Sequence, residues 1–197
     1  MRAAPGVQVF RRPCGGRSHT LPACSITARL SGYSRVECYF AYGSNLHPRR
    51  LRARVPIAAD LGVAALPGWR LVFHKRSVDG SAKCDIVPAG HADVVFGAVY
   101  LLDDAARAAL DEIEGVGRGY RRARLALPRF GSADCYLAEP AWIEHALAPY
   151  DWYLDLVRAG ARTRCFPAPY RQMLDRVRTM PDPDTARADA ARRLVAD

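Results

Sequence analysis

Two stretches of the chain hold residue types that can do chemistry together. The first is Tyr39-Phe40-Ala41-Tyr42-Gly43-Ser44-Asn45, a mostly apolar run with two tyrosines that stops at a glycine. Such a run reads as a buried strand, and Ser44 and Asn45 are good turn and N-cap residues. A glycine at the strand end lets the chain turn sharply and lets a ligand approach the backbone closely. The amide N–H groups of Gly43, Ser44 and Asn45 then point out of the strand end, where they can hold a carboxylate or a developing oxyanion. The second stretch is Leu110-Asp111-Glu112-Ile113-Glu114-Gly115-Val116. It places Glu114 where a helix ends and the chain turns through Gly115, Gly117 and Gly119. The field at a helix C-terminus disfavours a fixed negative charge, which suits a carboxylate that gains and loses a proton. Taken singly, each stretch reads more readily as ordinary structure: a strand with its turn, and a surface glutamate.

The elements that must position these residues follow from periodicity. Asp60–Leu66, Trp69–Lys75, Cys84–Val87, Val94–Leu102, Tyr120–Leu127 and Ala133–Ala138 read as strands, with Gly97 a possible bulge and the last two paired across a turn. Asp103 or Asp104 caps a helix over Ala105–Ile113 with Leu110 and Ile113 inward, and Asp111 and Glu112 reading as solvated. A second helix covers Tyr150–Ala159 with Gly160 as its C-cap, and a third opens at Pro169. Strands outnumber helices without regular βαβ alternation, which predicts an α+β fold with a mixed sheet or small barrel.

Charge and composition exclude several classes. The net charge of +9 resembles that of a nucleic-acid binder, but residues 1–36 hold six arginines and no acidic residue. The remaining chain has 23 basic and 20 acidic residues, so charge does not make the main domain a nucleic-acid binder. The expected organisation is a flexible basic extension over residues 1–36, a domain over 37–180 and a helical tail over 181–197. The leading segment resembles an organelle transit peptide in composition, and equally a plain basic tail. No apolar run approaches membrane-spanning length. Six scattered cysteines and five scattered histidines show no metal-ligand spacing, and read as reduced thiols in a cytoplasmic protein.

In their order and spacing, Tyr42-Gly43-Ser44-Asn45 and Leu110-Asp111-x-x-Glu114-Gly115 resemble the γ-glutamylcyclotransferase family. Pro67-Gly68-Trp69, the strand with Gly97 and Tyr100, Gly119-Tyr120, and Gly160-Ala161 with Pro167 and Tyr170 match as well. The resemblance covers roughly residues 37 to 175. It implies a small mixed closed β-barrel of about six or seven strands with helices packed outside and one deep pocket. It implies that the strand end binds the γ-glutamyl group, so Tyr39, Phe40, Ala41, Tyr42, Gly43, Ser44 and Asn45 are the candidate substrate-binding residues. Glu114 is the candidate catalytic acid/base. No metal and no cofactor are implied. The partner is a small-molecule γ-glutamyl substrate, with no nucleic acid and no membrane, handled by a monomer or homodimer.

The expected reaction is cyclisation of a γ-glutamyl group to 5-oxoproline with release of an amino acid or amine. A characterised mammalian member has an active-site tyrosine shortly after the strand resembling Cys135-Tyr136-Leu137. The nearest positions here are Ala141 and Trp142, which leaves the leaving group open. Arg70, Lys75, Arg76 and Lys83 carry charge a carboxylate could use, yet on strand faces they are expected to be solvated. The rival readings are a γ-glutamylamine cyclotransferase or a pathway-specific γ-glutamyl deprotecting enzyme, a non-catalytic small-molecule-binding module, and nucleic-acid binding through residues 1–36.

Overall fold

Alternating burial and glycine-marked turns fold the chain into seven strands and five α-helices among the residues described by the computed structural model, 36–57 and 59–196. The basic segment expected over residues 1–36 lies outside the described residues, apart from Val36. The strands are β1 (Val36–Ala41), β2 (Ala59–Pro67), β3 (Trp69–Arg76), β4 (Ala82–Pro88), β5 (Val94–Asp103), β6 (Tyr120–Leu127) and β7 (Gly131–Ala138). The helices are α1 (Pro48–Arg52), α2 (Asp104–Glu114), α3 (Asp151–Thr163), α4 (Ala168–Asp175) and α5 (Thr185–Arg193).

β1 lies at the centre of a five-stranded mixed sheet of order β2-β5-β1-β7-β6. It runs antiparallel to β5, with Tyr39 opposite Tyr100, and parallel to β7, with Tyr39 opposite Asp134. A strand buried on both faces must be nearly continuously apolar, and Cys38 to Tyr42 are all buried. β3 and β4 form a separate antiparallel ribbon. Asp85 on β4 ties this ribbon to the large sheet by accepting the Ala138 amide at 3.0 Å, and within the ribbon it meets the His74 ring of β3 at 2.8 Å.

The mixed α+β architecture agrees with the sequence, but neither sheet is closed by hydrogen bonds. The edge strands β2 and β6 approach to within 8 Å between Cα atoms without pairing, so the sheet curls and stays open. This corrects the expected closed barrel.

Two glycines also act otherwise than expected. Gly97 pairs in register within β2–β5, and the register shift lies between Asp60 and Gly62 instead. A Cβ on Gly97 would lie 2.2 Å from the Phe40 ring, so the residue is glycine to admit that ring. Gly160 does not cap α3 but lies within it. A Cβ there would come to 2.6 Å from Leu46 Cβ and 2.8 Å from the His47 amide nitrogen. Gly160 thus lets α3 press against the turn that follows β1.

α2 begins where expected, with the Asp103 carboxylate accepting from Ala106 N at 2.7 Å. It ends on Gly115 in the left-handed conformation, φ 70°, leaving Glu114 as its last residue. Its inner face is Ala106 and Leu110; Ile113, expected inward, is 45% exposed. Asp111, expected to be solvated, accepts from the Tyr136 hydroxyl at 2.8 Å and from Arg122 at 2.9 Å.

Candidate active site

β1 delivers its end, Tyr42 and Gly43, to the mouth of a pocket, and the 3-10 turn Ser44–Leu46 bends the chain away. Gly43 has φ −104°, open to any residue, so its requirement is space. A Cβ there would lie 3.2 Å from both the Tyr153 hydroxyl and Cys84 Cβ. Among the described residues, the backbone amides of Gly43, Ser44 and Asn45 donate no turn or cap hydrogen bond. The turn is fixed from behind by the Tyr100 hydroxyl, 3.3 Å from the carbonyls of Asn45 and Leu46. Tyr100 is in turn bound by Arg164 at 2.6 Å, which also grips Asp60 through two bonds of 2.8 and 2.7 Å.

The C-terminus of α2 brings Glu114 to this turn. Its Oε1 accepts from Asn45 Nδ2 at 2.9 Å and from Arg54 at 2.6 Å. The same Arg54 nitrogen donates to Asn45 Oδ1 at 3.1 Å, and Asn45 Nδ2 also donates to the Tyr39 hydroxyl at 3.0 Å. A carboxylate held through one oxygen by two donors is fixed in orientation, and no described residue donates to Oε2. Arg54 and Glu114 form a partly buried ion pair at 2.6 Å.

The pocket encloses about 320 Å³ of free space, including its open mouth, and is lined by Tyr39, Tyr42, Gly43, Ser44, Asn45 and Glu114, together with Cys84, Tyr120, Tyr136 and Tyr153. Of the residues singled out in the sequence, Phe40 and Ala41 do not line it. Phe40 is fully buried and packs against Gly97.

Burial, followed by the charge of Glu114, raises the pKa of Tyr39 well above that of a free phenol. Burial does the same first for Tyr136, then Tyr39 and Asp111 add to it. Tyr42, Tyr120 and Tyr153 are raised likewise by burial. The Cys84 thiol is pushed up to about 12, chiefly by burial, so it stays protonated and unreactive. These tyrosines are hydrogen-bonded into the frame: Tyr42 donates to the Tyr136 carbonyl, Tyr120 to the Cys84 carbonyl at 2.6 Å, and Tyr153 accepts from Cys84 N at 3.1 Å.

Arg54, Tyr120, Tyr136 and Tyr153 were not singled out in the sequence. The available signal was the nine tyrosines, because a buried tyrosine needs a polar partner and five of them find it around one cavity. Lys75, expected to be solvated, is buried beside this wall, with Nζ 4.6 Å from the Tyr120 ring centroid. Among the described residues, no group of three or more His, Cys, Asp or Glu side chains is placed to hold a metal. No helix among them is long and apolar enough to cross a membrane.

Residues 39–154 match a family described as gamma-glutamyl cyclotransferase, AIG2-like. No curated protein sequence matches the chain significantly. Among solved structures, an uncharacterized protein from Homo sapiens superposes with a TM-score of 0.69 at 25% identity, covering 80% of this chain and 98% of its own. A protein named gamma-glutamyl cyclotransferase has the same TM-score at 24% identity, covering 81% of this chain and 99% of its own. YkqA from Bacillus subtilis superposes with a TM-score of 0.62 at 21% identity, over 74% of this chain and 56% of that one.

Proposed function

The chain belongs to the gamma-glutamyl cyclotransferase, AIG2-like family, and on that premise we propose that it cyclises a γ-glutamyl group to 5-oxoproline, releasing an amine or amino acid. The observation that carries this reading is the placement of Glu114. One carboxylate oxygen is bound by Asn45 and Arg54, the other has no described donor, and the amides of Gly43 to Asn45 lie in the same pocket.

The chemistry needs a base, because the substrate's α-amine is an ammonium at neutral pH and cannot attack until it loses a proton. Glu114 takes that proton on Oε2. The amine nitrogen then bonds to the γ-carbonyl carbon, and the carbonyl π electrons move onto oxygen. Holding the chain folded for this intramolecular attack supplies up to about 7–11 kcal/mol of the barrier reduction. The amides at the strand end hold the substrate carboxylate or the oxyanion, and the Tyr39 hydroxyl, kept protonated, is a further donor on the same wall. Collapse of the tetrahedral centre breaks the bond to the leaving nitrogen, which receives the proton held by Glu114; the ring nitrogen gives up its surplus proton through the same carboxylate to the departing amine, which leaves as an ammonium beside the neutral lactam of 5-oxoproline. No redox step or external reactant is required.

The test is 5-oxoproline release from γ-glutamyl-alanine, glutathione and a γ-glutamyl-amine by the wild-type protein and by Glu114→Gln. Release that depends on Glu114 supports the reading. A folded wild type that releases nothing from any of the three overturns it in favour of a binding module.

A further inference from the structure

Lys75 is a largely buried cation with no ion-pair partner among the described residues. It is 6% exposed, and its ammonium makes no hydrogen bond or ion pair with a described residue; it faces only the rings of Tyr120 at 4.6 Å and Trp142 at 5.5 Å. Lys83, on the neighbouring strand, shows the ordinary alternative. Its ammonium also lies among aromatic rings, but it is satisfied by Asp79 and Ser81 at 2.7 Å each. An uncompensated buried charge is costly, and aromatic faces offset only part of that cost.

The surroundings keep Lys75 in place. A register shift in β3 between Phe73 and Lys75 leaves His74 and Lys75, adjacent in sequence, both buried. The loop leaving Glu114 then passes over the lysine head at Gly119. A Cβ on Gly119 would sit 2.7 Å from both Lys75 Cε and Nζ, and its φ of 143° also favours glycine. Burial lowers the lysine's pKa, while Glu114 and Asp79 raise it, so an anion arriving here would favour the charged form. Tyr120, whose ring Lys75 faces, is itself part of the pocket wall, and Trp142 stands beyond it.

We propose that Lys75 reads the leaving group, its ammonium pairing with the carboxylate of a departing amino acid and so favouring γ-glutamyl-amino acids over neutral γ-glutamyl-amines. This rests on the cyclotransferase reading. A γ-glutamyl-amino acid carries two carboxylates, and the strand-end amides serve the glutamyl half. The second carboxylate is the feature that separates an amino-acid leaving group from an amine.

The experiment compares kcat/KM for γ-glutamyl-alanine and γ-glutamyl-alaninamide, which differ only in whether that carboxylate is charged. The wild type is expected to prefer the acid by roughly ten- to hundredfold, the range for a hydrogen bond to a charged group. In Lys75→Met, with folding checked by circular dichroism, the ratio should fall close to one. A wild-type ratio near one overturns the proposal without reference to any variant. An unchanged ratio in Lys75→Met, including an equal fall for both substrates, overturns it as well, since that would place Lys75 on the glutamyl half or in the frame. In both cases 5-oxoproline is still released and the cyclotransferase reading stands. No release from either substrate by the wild type overturns both.

Discussion

Asn45 and Glu114 stand 69 residues apart in the chain, yet the Asn45 amide nitrogen lies 2.9 Å from Glu114 Oε1. This contact joins the end of the central strand to the end of α2. It ties one carboxylate oxygen into the frame, and no described residue donates to the other.

Replacing Glu114 with Gln should lower kcat by about 10²–10⁴-fold, the range for losing a general acid/base. Gln keeps the shape and can still accept from Asn45 and Arg54, so the melting temperature and 5-oxoproline binding should change little. Wild-type turnover in Glu114→Gln, measured as 5-oxoproline release, would remove Glu114 from the mechanism.

Asn45→Ala should act on Glu114 indirectly. It frees the carboxylate on one side and strips a donor from the buried Tyr39 hydroxyl, costing about 1–3 kcal/mol of stability. Because the loss is of orientation, kcat should fall more than KM rises. A drop confined to KM, in steady-state kinetics on a folded variant, would show that Asn45 binds substrate instead.

At Gly43 an added Cβ would lie 3.2 Å from the Tyr153 hydroxyl and Cys84 Cβ, narrowing the pocket where the strand-end amides face it. Gly43→Val should weaken 5-oxoproline binding by about tenfold or more, since the overpacked wall must shift. Calorimetric affinity equal to wild type would mean that the ligand does not approach this backbone.

Gly160 tests the frame from the other side. Gly160→Ala forces a Cβ against Leu46 and His47 and should cost about 1–3 kcal/mol in denaturant unfolding, with lost activity, because α3 can no longer support the turn. An unaltered unfolding midpoint would show that the helix moves freely there.

His47 supplies a pH signature. Burial first, then the charges of Arg49 and Arg164, lowers its pKa below the ordinary imidazole value, so the folded protein favours the neutral ring. The unfolded chain therefore binds more protons below about pH 6.5. This contribution to stability is intact above that pH and is lost as the pH falls through the folded-state value. His47→Gln should flatten the fall in melting temperature between about pH 7 and 5. Parallel curves for the two proteins would reject the assignment.

Much of this architecture was legible from local pattern. β6 begins and ends at the expected residues, Tyr120 and Leu127, because alternation and flanking turns bound it on both sides. The place of Glu114, at the end of a helix stopped by Gly115, was legible in the same way. What remained hidden depends on which surfaces meet. Gly160 looked like a helix stop because nothing in the sequence says that the turn after β1 packs on α3. Lys75 looked solvated because a lysine on a strand usually is, and a register shift cannot be read from one strand without its partner. Asp111 looked like a surface charge because its bond to Tyr136 spans 25 residues and two elements.

The five tyrosines around the pocket share a property that bears on more than shape. Burial holds each in its protonated form well beyond the pH at which a free phenol ionises. The cavity wall is therefore a neutral phenolic surface, with the hydroxyls of Tyr42, Tyr120 and Tyr136 already donating to protein acceptors. A ligand entering it exchanges mobile water for dipoles already fixed in direction.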